Sequence, residues 1–351
     1  MGMRIAVDAM GGDKAPAEIV RGGVEAALAD NDIKVILVGQ EDRVNSELVK
    51  LPKAKKALSS GRLEVVHAPD EVGMDEQPAM AVRHKKQCSI NVCMRLVKEG
   101  KAEAMVSAGN SGAVATSAVF TLGRIPGVIR PAIATVMPTR NPRRPILVLD
   151  AGANMDCHQD WLVQFAIMGS VYSKAVLKRP DPQVGLLSIG TEDCKGCELT
   201  KATFPLLKQV KSISFCGNVE GHDLFAGQTD VVVCDGFVGN VVLKTTESVA
   251  HAVSHWIKRE VKRNPVRMLG AFLMKGAFKS LKKTLDPEIY GGAPLLGVPG
   301  AVIITHGASS HKAIFYAVAA AAAAAANNVS ASIQKNIEEY ERSRSGEVLG
   351  V

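Results

Sequence analysis

Apolar residues in this chain come in short continuous runs, with little strict alternation. The runs within 3–10, 34–39 (KVILVG), 63–67, 104–106, 131–139 (PAIATVMPT), 145–154 (PILVLDAGAN), 183–190, 213–221, 230–240 and 301–308 each read as a strand. Segments near 16–29, 41–50 and 79–99 have helical character, and most later strands are followed by another such segment. A strand–helix rhythm built on continuous apolar runs predicts a largely parallel sheet with helices on both faces. The expectation is one large α/β domain over 1–351. Ala313 to Ala326 is a strong helix by propensity, too short and too weakly apolar to span a bilayer. The charged tail at 338–351 is expected to fray.

The stretch from Ala102 to Gly127 organises the rest. Its short strand breaks at Ser107-Ala108-Gly109-Asn110-Ser111-Gly112 and resumes as a helix. Free N–H groups of a first helical turn, close-approach glycines and the hydroxyls of Ser107 and Ser111 suit a phosphate or substrate cradle. The alternative is an ordinary turn with Asn or Ser as cap. Similar residues follow the other strands: Asp8 and Asp13, Asp150 and Asn154, Gly190-Thr191, Asn218, Asp235 with Asn240, and His306. Open α/β sheets bind ligands beyond the carboxyl ends of their strands, so these positions predict one cleft. Turn-forming preference explains many of them, but poorly explains Lys195 and His306.

Composition narrows the chemistry. Apolar content of 47% with 32 glycines is ordinary for a soluble α/β protein, and 15 aromatics are few for one that stacks bases. No GxGxxG follows an early strand and no GxxxxGK[ST] is present, so a dinucleotide or P-loop site is unsupported. No leader is expected, because Met1-Gly2-Met3-Arg4 runs straight into a strand. Seven scattered cysteines predict reduced thiols in a cytosolic protein. Cys194-Lys195-Gly196-Cys197 has the spacing of a redox or metal motif, yet a zinc site needs more ligands, with Cys216 and His222 the nearest candidates. No metal or cofactor is expected. Cys157-His158 beside Asp156 reads as a helix entry, not a nucleophile pair, because adjacent helical residues do not face each other.

The net charge of +7 sits in one place. Residues 256–283 carry nine basic residues against Glu260, which makes that segment +8 and leaves the remainder at −1. After Pro265, Lys275, Lys279, Lys282 and Lys283 fall at helical spacing, while Leu269, Leu273, Met274, Ala277, Phe278 and Leu281 lie largely away from them. Phe272 falls near the lysine side. This is the pattern of a projecting amphipathic helical segment on an anionic membrane surface. Its alternatives are a packed helix with a solvated lysine face, an acidic-protein docking surface, or nucleic-acid binding, the last disfavoured by sparse aromatics.

Taken in order, RIAVDAMGGDKAP, VSAGNSGAV, GRIPGVIRPAIATVMPT, LDAGAN, IMGSVYS, GTEDCKGCELTK, GNVEG, VVVCDGFVGNVVLKT, IYGGAPLLG and HGASS resemble successive blocks of the bacterial phosphate acyltransferase family PlsX. The similarity spans roughly residues 3–340. It implies a three-layer α/β/α fold of the phosphate acetyltransferase-like and isocitrate-dehydrogenase-like type. It also implies transfer of a long-chain acyl group from acyl-ACP (ACP, acyl carrier protein) to inorganic phosphate, giving acyl phosphate and free ACP for phospholipid synthesis. By the same resemblance, the positions of Lys195 and Asn240 are catalytic. A homodimer attached peripherally to the inner face of the cytoplasmic membrane, beside a glycerol-3-phosphate acyltransferase, is likewise implied. Phosphate is itself the nucleophile, so the site must hold a dianion and stabilise a tetrahedral oxyanion. Lys195 suits the former or the latter charge, Asn240 can donate to the oxyanion, and His306 is a candidate proton donor to the leaving thiolate or a structural residue. The family usually has Asn where this chain has Cys197.

Overall fold

Every apolar run named above enters one sheet. The computed structural model describes residues 2–284 and 286–348, the side chains of 282, 283, 287, 347 and 348 excepted. The strands are β1 (Met3–Asp8), β2 (Ile33–Gly39), β3 (Leu63–His67), β4 (Ala104–Ser107), β5 (Ala132–Met137), β6 (Ile146–Leu149), β7 (Gln183–Leu187), β8 (Ser214–Val219), β9 (Val231–Val233), β10 (Ala293–Leu296) and β11 (Ala301–Ile304). Among the described residues they form an eleven-stranded sheet in the order β3-β2-β1-β4-β11-β10-β5-β6-β9-β7-β8.

The sheet consists of two parallel halves that run in opposite directions. β3, β2, β1, β4 and β11 are mutually parallel. β10 is antiparallel to both of its neighbours, β11 and β5, and β5 is antiparallel to β6. From β6 outward, β9, β7 and β8 are again parallel. The largely parallel sheet is therefore present, with a reversal at its centre.

Side chains alternate across a strand, so a strand apolar at successive positions needs cover on both faces. Ile5, Val7, Val35, Leu37, Ala104 and Val106 pack on one side with residues of the helices Ala17–Ala29 and His311–Ala326. Ala6, Ile36, Val38, Met105 and Val302 face the other side, under the helices Ser89–Lys98 and Ser111–Thr121. In the second half, the helix Gln159–Ala175 lays Leu162, Phe165 and Tyr172 over Leu147, Leu149, Val231 and Val233. Full burial of Leu162 and Phe165 contributes roughly 1.5–3 kcal/mol each.

Two expectations are corrected. The helix Val329–Val348 buries Ile333, Ile337 and Tyr340, and Arg344 pairs with Asp160 at 2.8 Å, so the tail does not fray from Glu338. The last residues, 349–351, lie outside the described residues. The projecting segment is also longer than 256–283. It begins with the helix Gly236–Lys262, of which only Gly236 and Gly239 are buried, and continues as Pro265–Leu273 and Lys275–Thr284.

Candidate active site

The reversal at the sheet centre divides the strand-end residues between two opposite rims. β1, β4 and β11 end at one rim, and β6, β9, β7 and β8 at the other. The expectation of one cleft is thus corrected. Asp8, Asp13, Ser107, Gly109, Asn110, Ser111, Gly112 and His306 belong to the first rim. Asp150, Asn154, Lys195, Asn218, Asp235 and Asn240 belong to the second.

On the first rim, most of the expected cradle is engaged internally. Ser107 donates its hydroxyl to the buried Asp8 carboxylate at 2.6 Å and accepts the Gly109 N–H at 3.0 Å. Burial pushes the Asp8 carboxyl above its ordinary range, against donation from Ser107 and the Met10 N–H. Asn110 is the helix cap, accepting from the Ala113 N–H at 3.1 Å, and donates to the carbonyls of Met74 and Glu76. Pro78 covers Gly112, whose Cβ would lie 2.7 Å from the proline ring. The loop at 107–112 is therefore a closed turn, with Ser111 the exposed residue of its helix start. Asp13 and His306 are exposed, and His306 Nδ1 accepts from the Ala308 N–H at 3.1 Å.

On the second rim, polar residues build a scaffold around two free side chains. The Asp150 carboxylate accepts from the N–H groups of Ile133, Gly152, Ala153 and Asn154 and from the Asn154 side-chain amide. Burial nevertheless pushes its carboxyl up. A carboxylate so surrounded organises the loop from Asp150 to Asn154. Asn154 also donates to Pro131 O and accepts the Gly236 N–H at 2.7 Å on its carbonyl. Asp235 is the cap of the long helix, its side chain accepting from the Val238 N–H at 2.8 Å. Asn240 follows in that first turn, exposed, beside Gly152. Among the described contacts its side chain has no hydrogen-bond partner.

Lys195 stands in the loop between β7 and the helix Glu198–Gln209, and β7 pairs directly with β9, from which Asn240 follows. The loop is held from below by Asn218, which donates to Glu192 O at 2.8 Å, and by a turn from Lys195 N to Glu192 O. The lysine stem lies over Gly190, where a Cβ would meet its Cγ at 2.9 Å. Gly196 has φ +112°, and a Cβ there would strike the Thr200 hydroxyl oxygen at 2.0 Å. Lys195 itself is exposed, with no ion pair among the described residues. Buried atoms beneath this rim, Ser188 Oγ and Asn218 Oδ1, also lack partners. Thr200 escaped the sequence reading, although GTEDCKGCELT carries it.

The projecting arm exposes both charge and apolar surface. Leu269, Leu273, Met274 and Leu281 are exposed, as are Lys275 and Lys279, whereas Phe278 is half-buried. The side chains of Lys282 and Lys283 lie outside the described residues. Met274 breaks the segment into two helices, so Leu269 and Leu273 belong to the helix before the lysine stripe. Val253, Trp256 and Ile257 add exposed apolar surface on the long helix. No single helix among the described residues is long and apolar enough to cross a membrane.

Cys157 and His158 stand at the entry of the helix Gln159–Ala175, and burial pushes the Cys157 thiol up to about 12. Glu220, His222 and Asp223 are the one grouping of three possible metal ligands among the described residues, and it excludes Cys194 and Cys197.

A sheet of two opposed parallel halves covered by helices has the phosphotransacetylase-like architecture. The structure superposes on a phosphotransacetylase from Streptococcus pyogenes with a TM-score of 0.63 and 18% identity, covering 93% of this chain and 94% of that one. A branched-chain phosphotransacylase from Enterococcus faecalis V583 gives 0.57 and 13%, covering 92% and 99%. At such identities the likeness concerns the fold. The family model described as "Fatty acid synthesis protein" matches residues 3–332. Phosphate acyltransferases from Desulfitobacterium hafniense (strain Y51) and Elusimicrobium minutum (strain Pei191) are 50% and 49% identical over 339 residues, covering 96% of this chain and 98% and 97% of theirs. The chain belongs to this fatty acid synthesis family, the phosphate acyltransferases.

Proposed function

We propose that this enzyme transfers a long-chain acyl group from acyl-ACP to inorganic phosphate, releasing acyl phosphate and free ACP. The observation that carries the site assignment is the second rim, where Lys195 and Asn240 are exposed without partners among the described residues while Asp150, Asn154 and Asp235 hold the scaffold. Lys195 binds the phosphate dianion as a point charge and brings an oxygen to the thioester carbonyl. Attack forms a tetrahedral intermediate, whose oxyanion accepts from the Asn240 amide beside the positive end of the helix Gly236–Lys262. Collapse breaks the C–S bond, and ACP leaves as a thiolate that takes a proton from solvent. His306, on the opposite rim, has no part in this step.

The same reading makes the protein a homodimer held to the cytoplasmic face of an anionic membrane by its arm, with Leu269, Leu273, Met274, Lys275, Phe278, Lys279, Leu281, Lys282 and Lys283 as the contact set. Exposed apolar residues along the arm support lipid or subunit contact. Delivery at a membrane fits a product passed to a glycerol-3-phosphate acyltransferase there.

The test is phosphate-dependent release of ACP thiol from palmitoyl-ACP by wild type and Lys195→Ala. Release that falls about 100- to 1000-fold in the variant supports the reaction and the site. Equal release moves the catalytic charge elsewhere, and turnover of acetyl-CoA in preference to acyl-ACP replaces the substrate.

A further inference from the structure

Two thiols bracket the candidate catalytic lysine. Cys194 and Cys197 are free and exposed, whereas Cys88, Cys93 and Cys234 are buried and Cys157 is half-buried. Cys197 is the cap residue of the helix Glu198–Gln209, with φ −82° and ψ 176°. The Thr200 hydroxyl donates to the Cys197 carbonyl oxygen at 3.0 Å and lies 3.7 Å from the Cys197 sulfur, within reach of either acceptor. Cys216, the remaining exposed cysteine, instead donates its thiol to Val184 O at 3.2 Å.

These settings separate the seven thiols. Partial burial opposes ionisation of Cys197, yet the N–H groups of Thr200 and Leu199 and the Thr200 hydroxyl hold it below the usual thiol range. Burial instead raises Cys88, Cys93, Cys157, Cys216 and Cys234. Exposed at a helix N-terminus beside the Thr200 hydroxyl, Cys197 is the thiol of this set best placed to ionise.

We propose that Cys197 and Cys194 are a modification site for hydroperoxides, oxidised to a disulfide that closes a ring around Lys195. In the first step the Cys197 thiolate attacks the peroxide oxygen. The O–O bond breaks, hydroxide or alkoxide departs, and sulfur is oxidised to the sulfenic acid. In the second, the Cys194 thiol attacks that sulfur, the S–O bond breaks, and the thiol proton passes to the departing hydroxyl, which leaves as water. The ring takes in Lys195 and Gly196, removes the Cys197 sulfur as an anionic acceptor, and displaces the turn from Lys195 N to Glu192 O. Gly196, packed on the Thr200 hydroxyl, cannot keep its place when the cap moves. The consequence for turnover rests on the assignment of Lys195 above.

The experiment treats the full-length protein with limiting iodoacetamide, and separately with hydrogen peroxide, and maps cysteines by peptide mass. Cys197 is expected to alkylate before Cys216 and Cys194. Peroxide is expected to remove two hydrogens between Cys194 and Cys197 and to lower phosphate-dependent turnover roughly a hundredfold, with dithiothreitol restoring both. Cys197→Ser places a favourable residue at the helix cap position and is expected to retain basal turnover and resist peroxide. Cys194→Ser is expected to stop at a sulfenic acid trapped by dimedone. Modification of another cysteine first, or no disulfide in the wild type, overturns the proposal. A disulfide that forms with turnover intact upholds the thiol pair and overturns the role given to Lys195.

Discussion

Gly239 stands against the backbone of Asp150 so closely that a Cβ at that position would lie 1.9 Å from the Asp150 carbonyl oxygen. One residue later comes Asn240, and one turn earlier Gly236 meets Asn154 O in the same way, at 2.5 Å. The first turn of the long helix is thus pressed onto the Asp150–Asn154 loop, and the candidate oxyanion donor has a fixed place.

Gly239→Ala is expected to lift that turn and misplace Asn240. A displacement of about 1 Å predicts a loss near a hundredfold in kcat. Steady-state kinetics beside a thermal melt separate misplacement from unfolding: a lowered kcat in a protein that still melts cooperatively supports misplacement, and unchanged kcat counts against the placement of Asn240.

Asn240→Ala removes the amide without disturbing the turn, and about 100- to 1000-fold loss of kcat with KM nearly constant is expected if it acts on the transition state. A change confined to KM would make it a ground-state binding group.

At the opposite ends of these strands, buried Asp230 accepts from Arg144 Nη2 at 3.0 and 3.1 Å and from the Gln183 N–H at 3.1 Å, with Arg179 Nε 3.4 Å away. Asp230→Ala strands two guanidinium groups. The expected destabilisation is about 3 kcal/mol, at the low end because Arg144 remains partly solvated. A urea titration reads it as a lowered midpoint, and an unshifted midpoint would rule this network out as a stabiliser.

The Glu18 carboxylate accepts the His311 N–H at 2.7 Å, with the ring Nδ1 at 2.8 Å, and the backbone donor first of all holds it below its ordinary value of 4.5. A depressed carboxyl gives stability that is full above the unfolded value and lost as pH falls through the folded one. Glu18→Gln should therefore be less stable than wild type at about pH 7, and the gap should close toward about pH 3. Parallel denaturation curves with a gap independent of pH would remove Glu18 from the account.

For the arm, co-sedimentation with phosphatidylglycerol vesicles is expected to fall with added salt and with Lys275→Glu/Lys279→Glu. Binding indifferent to both would assign the exposed apolar surface to subunit contact instead.

Much of the fold was legible because continuous apolar runs mark strands covered on both faces. β10 was not, since Ala293–Leu296 is four residues, contains Pro294 and sits among glycines. The reversal had a readable cause: the link between β5 and β6, residues 138–145, is too short for a parallel crossover and forces an antiparallel pair. At the site, residue type alone could not separate builders from reactants. Asp150, Asp235 and Asn110 have the same chemistry whether they cap a turn or touch a ligand, and only their hydrogen bonds reveal that they cap. Lys195 and Asn240 stand out by lacking such bonds among the described contacts.

The helix Gly236–Lys262 is a rod about 40 Å long at 1.5 Å per residue, anchored at Asn240 and free along nearly all of its surface. It is therefore a lever with its fulcrum at the proposed site. A tilt of about 5° carries the far end through about 3.5 Å at that length, and any load that restrains the far end equally restrains the angle at which Asn240 is presented on the second rim. Sensitivity to mechanical load at the tip is built into the length of one helix.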